Sequence, residues 1–168
     1  MPCGTCVGCR LDYARGWAIR CLHESKLHER NCFLTLTYDD DNLPADGSLV
    51  PERYVLFMKR LRKRFGDGIR FFHCGEYGDS TFRPHHHAIL FNHDFDDRVF
   101  LKDDASGSSL YRSRVLDSLW GHGHCSIGSV TYSSASYIAR YTLKKVRGAA
   151  GADLYGSRVP PYLTMSRR

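Results

Sequence analysis

Polar and apolar positions change their spacing several times along the chain, and each change marks an element. Residues 10–30 carry few helix breakers and read as a helix. Next, Phe33, Thr35 and Thr37 alternate with Leu34, Leu36 and Tyr38, the two-residue period of a strand. The turn-rich stretch 39–47 ends it. Pro51 and Glu52 suit the first turn of a second helix, where Tyr54, Met58, Leu61 and Phe65 recur as one apolar stripe. Gly66 and Gly68 stop that helix. Ile69 to Tyr77 and His85 to Asn92 then read as two strands, joined by a connection that fits an antiparallel hairpin. Residues 93–109, acidic and rich in Gly and Ser, read as an exposed insertion. A weak helix over 111–120 and a strand over 126–132 follow, and Ser133 and Ser134 are suited to cap a helix that runs to Gly148.

No repeat and no second domain interrupt this order. It predicts one α+β domain over 1–168, with a central antiparallel sheet, the histidine strand in its middle and the last helix across one face. Residues 1–30 form a Cys-rich segment and helix, and 148–168 an irregular tail. The length, 168 residues at 42% hydrophobic, supplies a single core. Such a core buries roughly 70% of the surface that the unfolded chain exposes. The longest apolar run, Ala88 to Phe91, falls far short of the ~20 residues a membrane helix needs. The start lacks the apolar core of a signal peptide, so the expectation is a soluble, cytoplasmic protein with no membrane partner. Lys and Arg number 24 against 18 Asp and Glu, a net charge of +6 that points to a polyanionic partner. Seven cysteines, three of them packed into Cys3, Cys6 and Cys9, favour metal or free thiols over a disulfide framework.

Within the predicted hairpin, His85 and His87 share one strand face and His86 takes the other. Two imidazoles on one face are a ready metal pair. If the register sets Glu76 opposite either of them, its carboxylate joins the group, whereas a slip of one residue sends it to His86. Asp79 and His73 are the weaker third ligands. Two His and a carboxylate leave open positions and suit a divalent ion that also holds a phosphate oxygen. The bland alternative is a chance run of histidines in a basic chain.

Tyr137 and Tyr141 lie four apart on the last predicted helix, so both hydroxyls fall on one side of it. A phenol becomes a competent nucleophile only where a cation stabilises the phenolate, and Lys144 beside Tyr141 supplies such a field. The alternative is an amphipathic helix that packs its tyrosines on the sheet and leaves Arg140, Lys144 and Lys145 solvated.

Four segments together resemble the HUH endonucleases, in particular the rolling-circle replication initiators of small single-stranded DNA phages of the Microviridae, gokushovirus branch. They are PCGTCVGCR, FLTLTYDDDNLP, GEYGDSTFRPHHHAILF and LWGHGHCSIGSVTYSSASYIARYTLKK. The family's histidine pair falls on His85 and His87, with His86 in a middle position that is usually hydrophobic. Its tyrosine motif falls on Tyr137 and Tyr141 with Lys144, and Glu76 stands as third metal ligand. The resemblance implies an endonuclease and ligase that nicks and rejoins origin DNA through a 5′-phosphotyrosine, using Mg²⁺ or Mn²⁺. Of the two tyrosines, Tyr141 is the favoured first nucleophile because YTLK is the fuller motif. Single-stranded DNA at a replication origin is the implied partner, with host replication proteins beside it. Family members continue beyond YLTMSRR.

Other clusters stay open at this level. Cys3, Cys6 and Cys9 offer three thiolates to a structural Zn²⁺, with Cys21, Cys32, Cys125 or a histidine as fourth ligand, or else remain free thiols. His122 and His124 form a rival metal pair or an exposed turn. Lys59, Arg60, Arg62, Lys63 and Arg64 track DNA phosphates or form a solvated helix face, Arg140 and Lys145 are further DNA-binding candidates, and Tyr77 and Phe82 are available for base stacking. A plasmid mobilisation relaxase or plasmid initiator shares the same chemistry. A noncatalytic, zinc-stabilised DNA-binding protein is the rival from another class.

Overall fold

The computed structural model describes Cys3, residues 6–144 and residues 149–167, without the side chains at 141–144, 149, 150 and 152. Its framework is a seven-stranded sheet built from β1 (Asn31–Thr37), β2 (Arg70–Tyr77), β3 (Pro84–Phe91), β4 (Val99–Asp103), β5 (Ser109–Arg112), β6 (Cys125–Gly128) and β7 (Tyr162–Met165). The strands lie in the order β4-β5-β6-β1-β3-β2-β7, and every pairing is antiparallel. This is the α+β class expected. β3 is bonded to β1 on one edge and β2 on the other, so the histidine strand is held by two ladders.

Helices cover both faces. On one side α2 (Pro51–Phe65) and α3 (Arg114–Trp120) pack against Leu34, Leu36, Ala88 and Leu90, with Trp120 fully buried between them. On the other, α1 (Val7–Ser25) and α4 (Tyr132–Lys144) meet over Phe72, Cys74 and Ile89. Their shared seam is made of small residues, Ala14 and Ala18 with Ala135 and Ala139, which lets the helices lie close to each other and to the sheet. The described residues hold no helix long and apolar enough to cross a membrane.

Several expectations need correction. The first helix begins earlier and ends earlier than 10–30: Cys6 is its N-cap, and Asn31 Nδ2 donates to the carbonyl of Ser25, its last residue, and to that of His28 beyond it. In α2 the inward stripe is Tyr54, Phe57, Met58 and Leu61, while Phe65 in the last turn is exposed. Residues 93–109 are exposed over β4 as expected, but β4 and the start of β5 extend the sheet there. The strand expected over 126–132 covers only Cys125–Gly128. The cap of α4 lies earlier than Ser133: Ser134 N–H donates to Thr131 Oγ1 while Thr131 N–H donates to Ser134 Oγ. The tail after Gly148 is also structured. It holds α5 (Ala149–Tyr155) and the edge strand β7, whose partner β2 supplies the order that a Gly- and Pro-rich segment lacks alone.

His86 points to the α2 side, as the alternation requires. There it closes a buried chain of hydrogen bonds: Tyr38 Oη to His86 Nε2 at 3.0 Å, His86 Nδ1 to His73 Nε2 at 3.1 Å, and His73 Nδ1 to Thr164 Oγ1 at 2.9 Å. Tyr54 stacks on His73 with ring centroids 3.4 Å apart. Burial drives the His86 pKa down to about 3, and neighbouring imidazoles add to the fall, so both buried rings are neutral. Each neutral imidazole offers one donor and one acceptor, and the chain uses all four. In His86→Leu, His73 and Tyr38 lose their partner in a dry setting. Urea unfolding is expected to show a loss of about 1–3 kcal/mol. A variant as stable as the parent would show that the chain contributes nothing.

Candidate metal and nucleophile site

The hairpin register decides which side chains meet. Glu76 lies directly opposite His85, and Cys74 opposite His87, so Glu76, His85 and His87 share the face that α1 and α4 cover. His85 Nε2 approaches Glu76 Oε1 at 2.7 Å and His87 Nε2 reaches the same oxygen at 3.0 Å. One ligand atom from each of the three residues lies within 4.8 Å of the others.

The opposite edge of each ring is also held. His85 Nδ1 lies 3.1 Å from the Arg83 carbonyl, which can only accept, so that nitrogen carries the proton and Nε2 turns towards Glu76. His87 Nδ1 lies 3.0 Å from Thr35 Oγ1, supplied across the ladder by β1. Outer partners of this kind fix the orientation of metal-binding histidines. The alternating pattern of β1 already put Thr35 on the face of Phe33 and Thr37, but its pairing with His87 needed the strand order.

Electrostatics point the same way. Glu76 is 2% exposed, and its Oε2 is buried with no hydrogen-bond partner among the described residues. Burial disfavours the His85 cation, yet the hydrogen bond and charge of Glu76 outweigh it and raise its pKa. For His87 burial wins over Glu76 and lowers the pKa. A buried carboxylate facing two imidazoles with one oxygen still without a donor has room for a further positive partner. A divalent ion is such a partner, and the donor set of two nitrogens and a carboxylate suits it.

Beside this group stands Tyr137. Its ring centroid lies 5.0 Å from that of His87, edge to face, and 6.5 Å from Phe33. It is 44% exposed, so the phenol sits at the mouth of the site while Ile138 and Ala139 bury the helix behind it. Arg140, exposed on the same helix, borders a small pocket with Tyr132, Ser136 and Tyr137. The backbone of α4 runs through Tyr141 and Lys144, whose side chains lie outside the described residues, as does Lys145 altogether.

Other candidates fall elsewhere. His73 faces the α2 layer and cannot join Glu76 on its face, and Asp79 stays outside the ligand group although its charge helps raise the His85 pKa. His122 and His124 enter no three-ligand group among the described residues; their carbonyls instead accept from the N–H groups of Asp39 and Thr37. The basic face of α2 lies across the sheet from Glu76. There Arg60 donates to the carbonyls of Leu119 and Trp120 and Arg62 to that of Ile69, while Lys59, Lys63 and Arg64 are exposed.

The N-terminal cysteines do converge. One sulfur from each of Cys3, Cys6 and Cys9 lies within 4.8 Å of the others, and Cys3 Sγ and Cys9 Sγ are 3.8 Å apart. Backbone N–H groups of Cys6 and Cys9 point at the sulfurs of Cys3 and Cys6. Cys21, Cys32 and Cys125 are buried in the two cores, and no fourth ligand joins the trio among the described residues.

Comparison with known proteins adds a family. The chain is 43% identical over 153 residues to "Replication-associated protein VP4" of Bdellovibrio phage phiMH2K, covering 86% of this chain and 48% of that protein. It is 39% identical over 155 residues to "Replication-associated protein ORF2" of Spiroplasma virus 4, covering 87% and 48%. With "Replication-associated protein ORF4" of Chlamydia phage 1 it shares 34% over 166 residues, covering 94% and 41%. The chain thus spans about half the length of the curated relatives it matches. No solved structure matches it. Residues 31–146, which include the whole histidine hairpin and both tyrosines, match the family described as "Replication-associated protein ORF2/G2P". On that match the chain belongs to the replication-associated protein ORF2/G2P family.

Proposed function

We propose that this chain is the nicking and joining domain of a phage replication initiator, acting on single-stranded DNA at an origin of rolling-circle replication. The observation that carries the reading is the convergence of His85 Nε2 and His87 Nε2 on one buried Glu76 oxygen, with the Tyr137 ring against His87. Glu76, His85 and His87 are the residues that would hold Mg²⁺ or Mn²⁺. Such an ion, when bound, supplies Lewis-acid polarisation of a phosphate and neutralises charge on the leaving oxygen.

The chain's own residues do the rest. Arg83 and Thr35 fix the imidazoles, and α4 brings a tyrosine to the mouth of the group. The tyrosine oxygen attacks phosphorus, the bond from phosphorus to the 3′ oxygen breaks, and the strand is left as a 5′-phosphotyrosyl ester and a 3′-OH. The proton of the phenol passes to the leaving oxygen or to solvent. Attack by a 3′-OH on the ester reverses the step and rejoins strands without further energy input. Tyr137 and Tyr141 would permit a second cleavage before the first link is resolved. The position of the Tyr137 ring favours it as the first nucleophile, against the preference for Tyr141 that the motif alone gave. The partners are then origin DNA and the host proteins that extend the 3′-OH, in the cytoplasm of the host cell.

The test is a denaturing gel. Protein, Mn²⁺ and labelled single-stranded oligonucleotides tiled across the source genome are expected to give a labelled band that resists denaturation and disappears with EDTA. DNA binding without any covalent band on any tile would leave the noncatalytic DNA-binding reading.

The cysteine trio supports a separate structural zinc site. With Zn–S bonds of ~2.3 Å, tetrahedral thiolates stand about 3.8 Å apart, the separation found between Cys3 and Cys9. Its place at the first turn of α1 ties down the helix that packs on α4. Metal analysis of the purified chain is expected to find zinc that Cys3→Ser or Cys9→Ser removes and His85→Ala retains. Zinc retained by both cysteine variants would exclude the trio.

A further inference from the structure

Where α1 runs past the start of β2 and the end of β7, the surface opens into a cavity of about 670 Å³. It lies at the far end of β2 from the metal group, since Arg70 precedes Glu76 by six residues, about 20 Å of extended strand. Its apolar lining includes Trp17, Phe72, Phe91 and Met165, with Trp17 stacked on Phe72 at 5.4 Å between ring centroids. Phe72 and Phe91 are buried, so this lining is continuous with the core under α1, while Met165 is 41% exposed.

Positive charge gathers on the same cavity. Arg20, Arg70 and Arg167 line it against a single carboxylate, Glu24. That carboxylate is already engaged, with Arg70 Nη1 at 2.5 Å and His28 Nε2 at 3.1 Å from its Oε1. Arg20 and Arg167 are exposed and form no ion pair among the described residues, and the buried Nε of Arg70 has no hydrogen-bond partner there. An apolar lining with surplus guanidinium groups fits an occupant that carries negative charge and one apolar anchor. The adjoining edge of the sheet adds a third feature. β7 ends the strand order and pairs with β2 alone among the described strands, which leaves its outer backbone groups to an extended segment.

We infer that this cavity docks an acidic peptide segment of a partner protein, with one aromatic or large aliphatic side chain against Trp17, Phe72, Phe91 and Met165 and its carboxylates on Arg20, Arg70 and Arg167. The volume falls within the roughly 300–1,000 Å³ of sites that enclose a compact ligand, enough for such an anchor and its neighbours. Guanidinium groups bind carboxylates in paired, charge-assisted hydrogen bonds, which gives the arginines a specific task here. A DNA strand fits the cavity less well, because its phosphates call for a continuous cationic track and the floor is apolar. The inference stands apart from the nicking reading, since it uses neither the metal group nor the tyrosines.

The test is fluorescence anisotropy on the full chain without added metal or DNA. The probes are three fluorescein-labelled peptides: a run of aspartates around a central Phe, the same run around Ala, and the Phe peptide with every Asp replaced by Asn. The peptide with both Asp and Phe is expected to bind at least about tenfold tighter than either control, because the buried ring and the ion pairs each contribute. Arg20→Glu, Arg167→Glu and Met165→Asp, all at exposed positions, are each expected to weaken that peptide about tenfold at unchanged melting temperature. Equal binding of the three peptides, or full binding in any of the three variants, overturns the inference. A single-stranded oligonucleotide that displaces the peptide and itself binds less well in the same variants would assign the cavity to DNA, and overturns it too. Since the assay contains neither metal nor origin DNA, its outcome is independent of whether the covalent band forms.

Discussion

The covalent protein–DNA band is expected to fall by at least about 10³-fold in Tyr137→Phe/Tyr141→Phe, with DNA affinity and melting temperature close to wild type. A phenylalanine at 137 keeps the ring that meets His87 and Phe33 edge to face, and removes only the attacking oxygen. The residue is 44% exposed, so the substitution does not disturb the packed core. The single variants divide the work. If Tyr137 acts first, Tyr137→Phe loses the initial nick while Tyr141→Phe still forms one adduct and fails only at a second transfer. The reverse pattern would assign the first attack to Tyr141, and an adduct that persists in the double variant would remove both tyrosines from the chemistry.

Glu76→Gln is the second large effect. The amide keeps the shape of the side chain and removes the charge that faces both imidazoles. Mn²⁺ at one hundred times its dissociation constant stabilises the folded protein by about 2.7 kcal/mol. For a chain of this size that is a melting-temperature rise of roughly 5–10 °C. In Glu76→Gln and in His87→Ala that rise is expected to disappear, and the covalent band to fall by about 10³-fold or more. The thermal shift is read without DNA, so it tests the ligand set independently of the reaction. A full Mn²⁺-dependent shift in both variants would place the metal elsewhere.

Much of this site was written in local pattern. Strand alternation put His85 and His87 on one face and His86 on the other, and the structure repeats that division, with His86 in its own buried chain to His73 and Tyr38. The antiparallel hairpin was equally legible from GDSTFRP between two apolar runs. What pattern left open was register, since a shift of one residue moves Glu76 to the other face. The part played by α2 stayed open between a DNA-facing and a solvated helix face, for a related reason. A run of Arg and Lys signals a basic face, but only packing shows that Arg60 and Arg62 spend their donors on the carbonyls of Leu119, Trp120 and Ile69, across the sheet from Glu76, His85 and His87.

The ends of the chain show the same boundary. Side-chain spacing within one element is a local property with a fixed period, so the amino-acid order alone specified the main helices and the central strands, and the strand face that His85 and His87 share. Pairing between distant segments has no local signature. β7 forms because β2 offers it an edge, the hairpin of β4 and β5 grows from an acidic stretch that reads as loop, and Thr35 meets His87 because β1 lies beside β3. Tertiary structure alone decided that Glu76 joins His85 and His87 and that Tyr137 stands against His87. Those are encounters between residues whose separation along the chain carries no information about their distance in space.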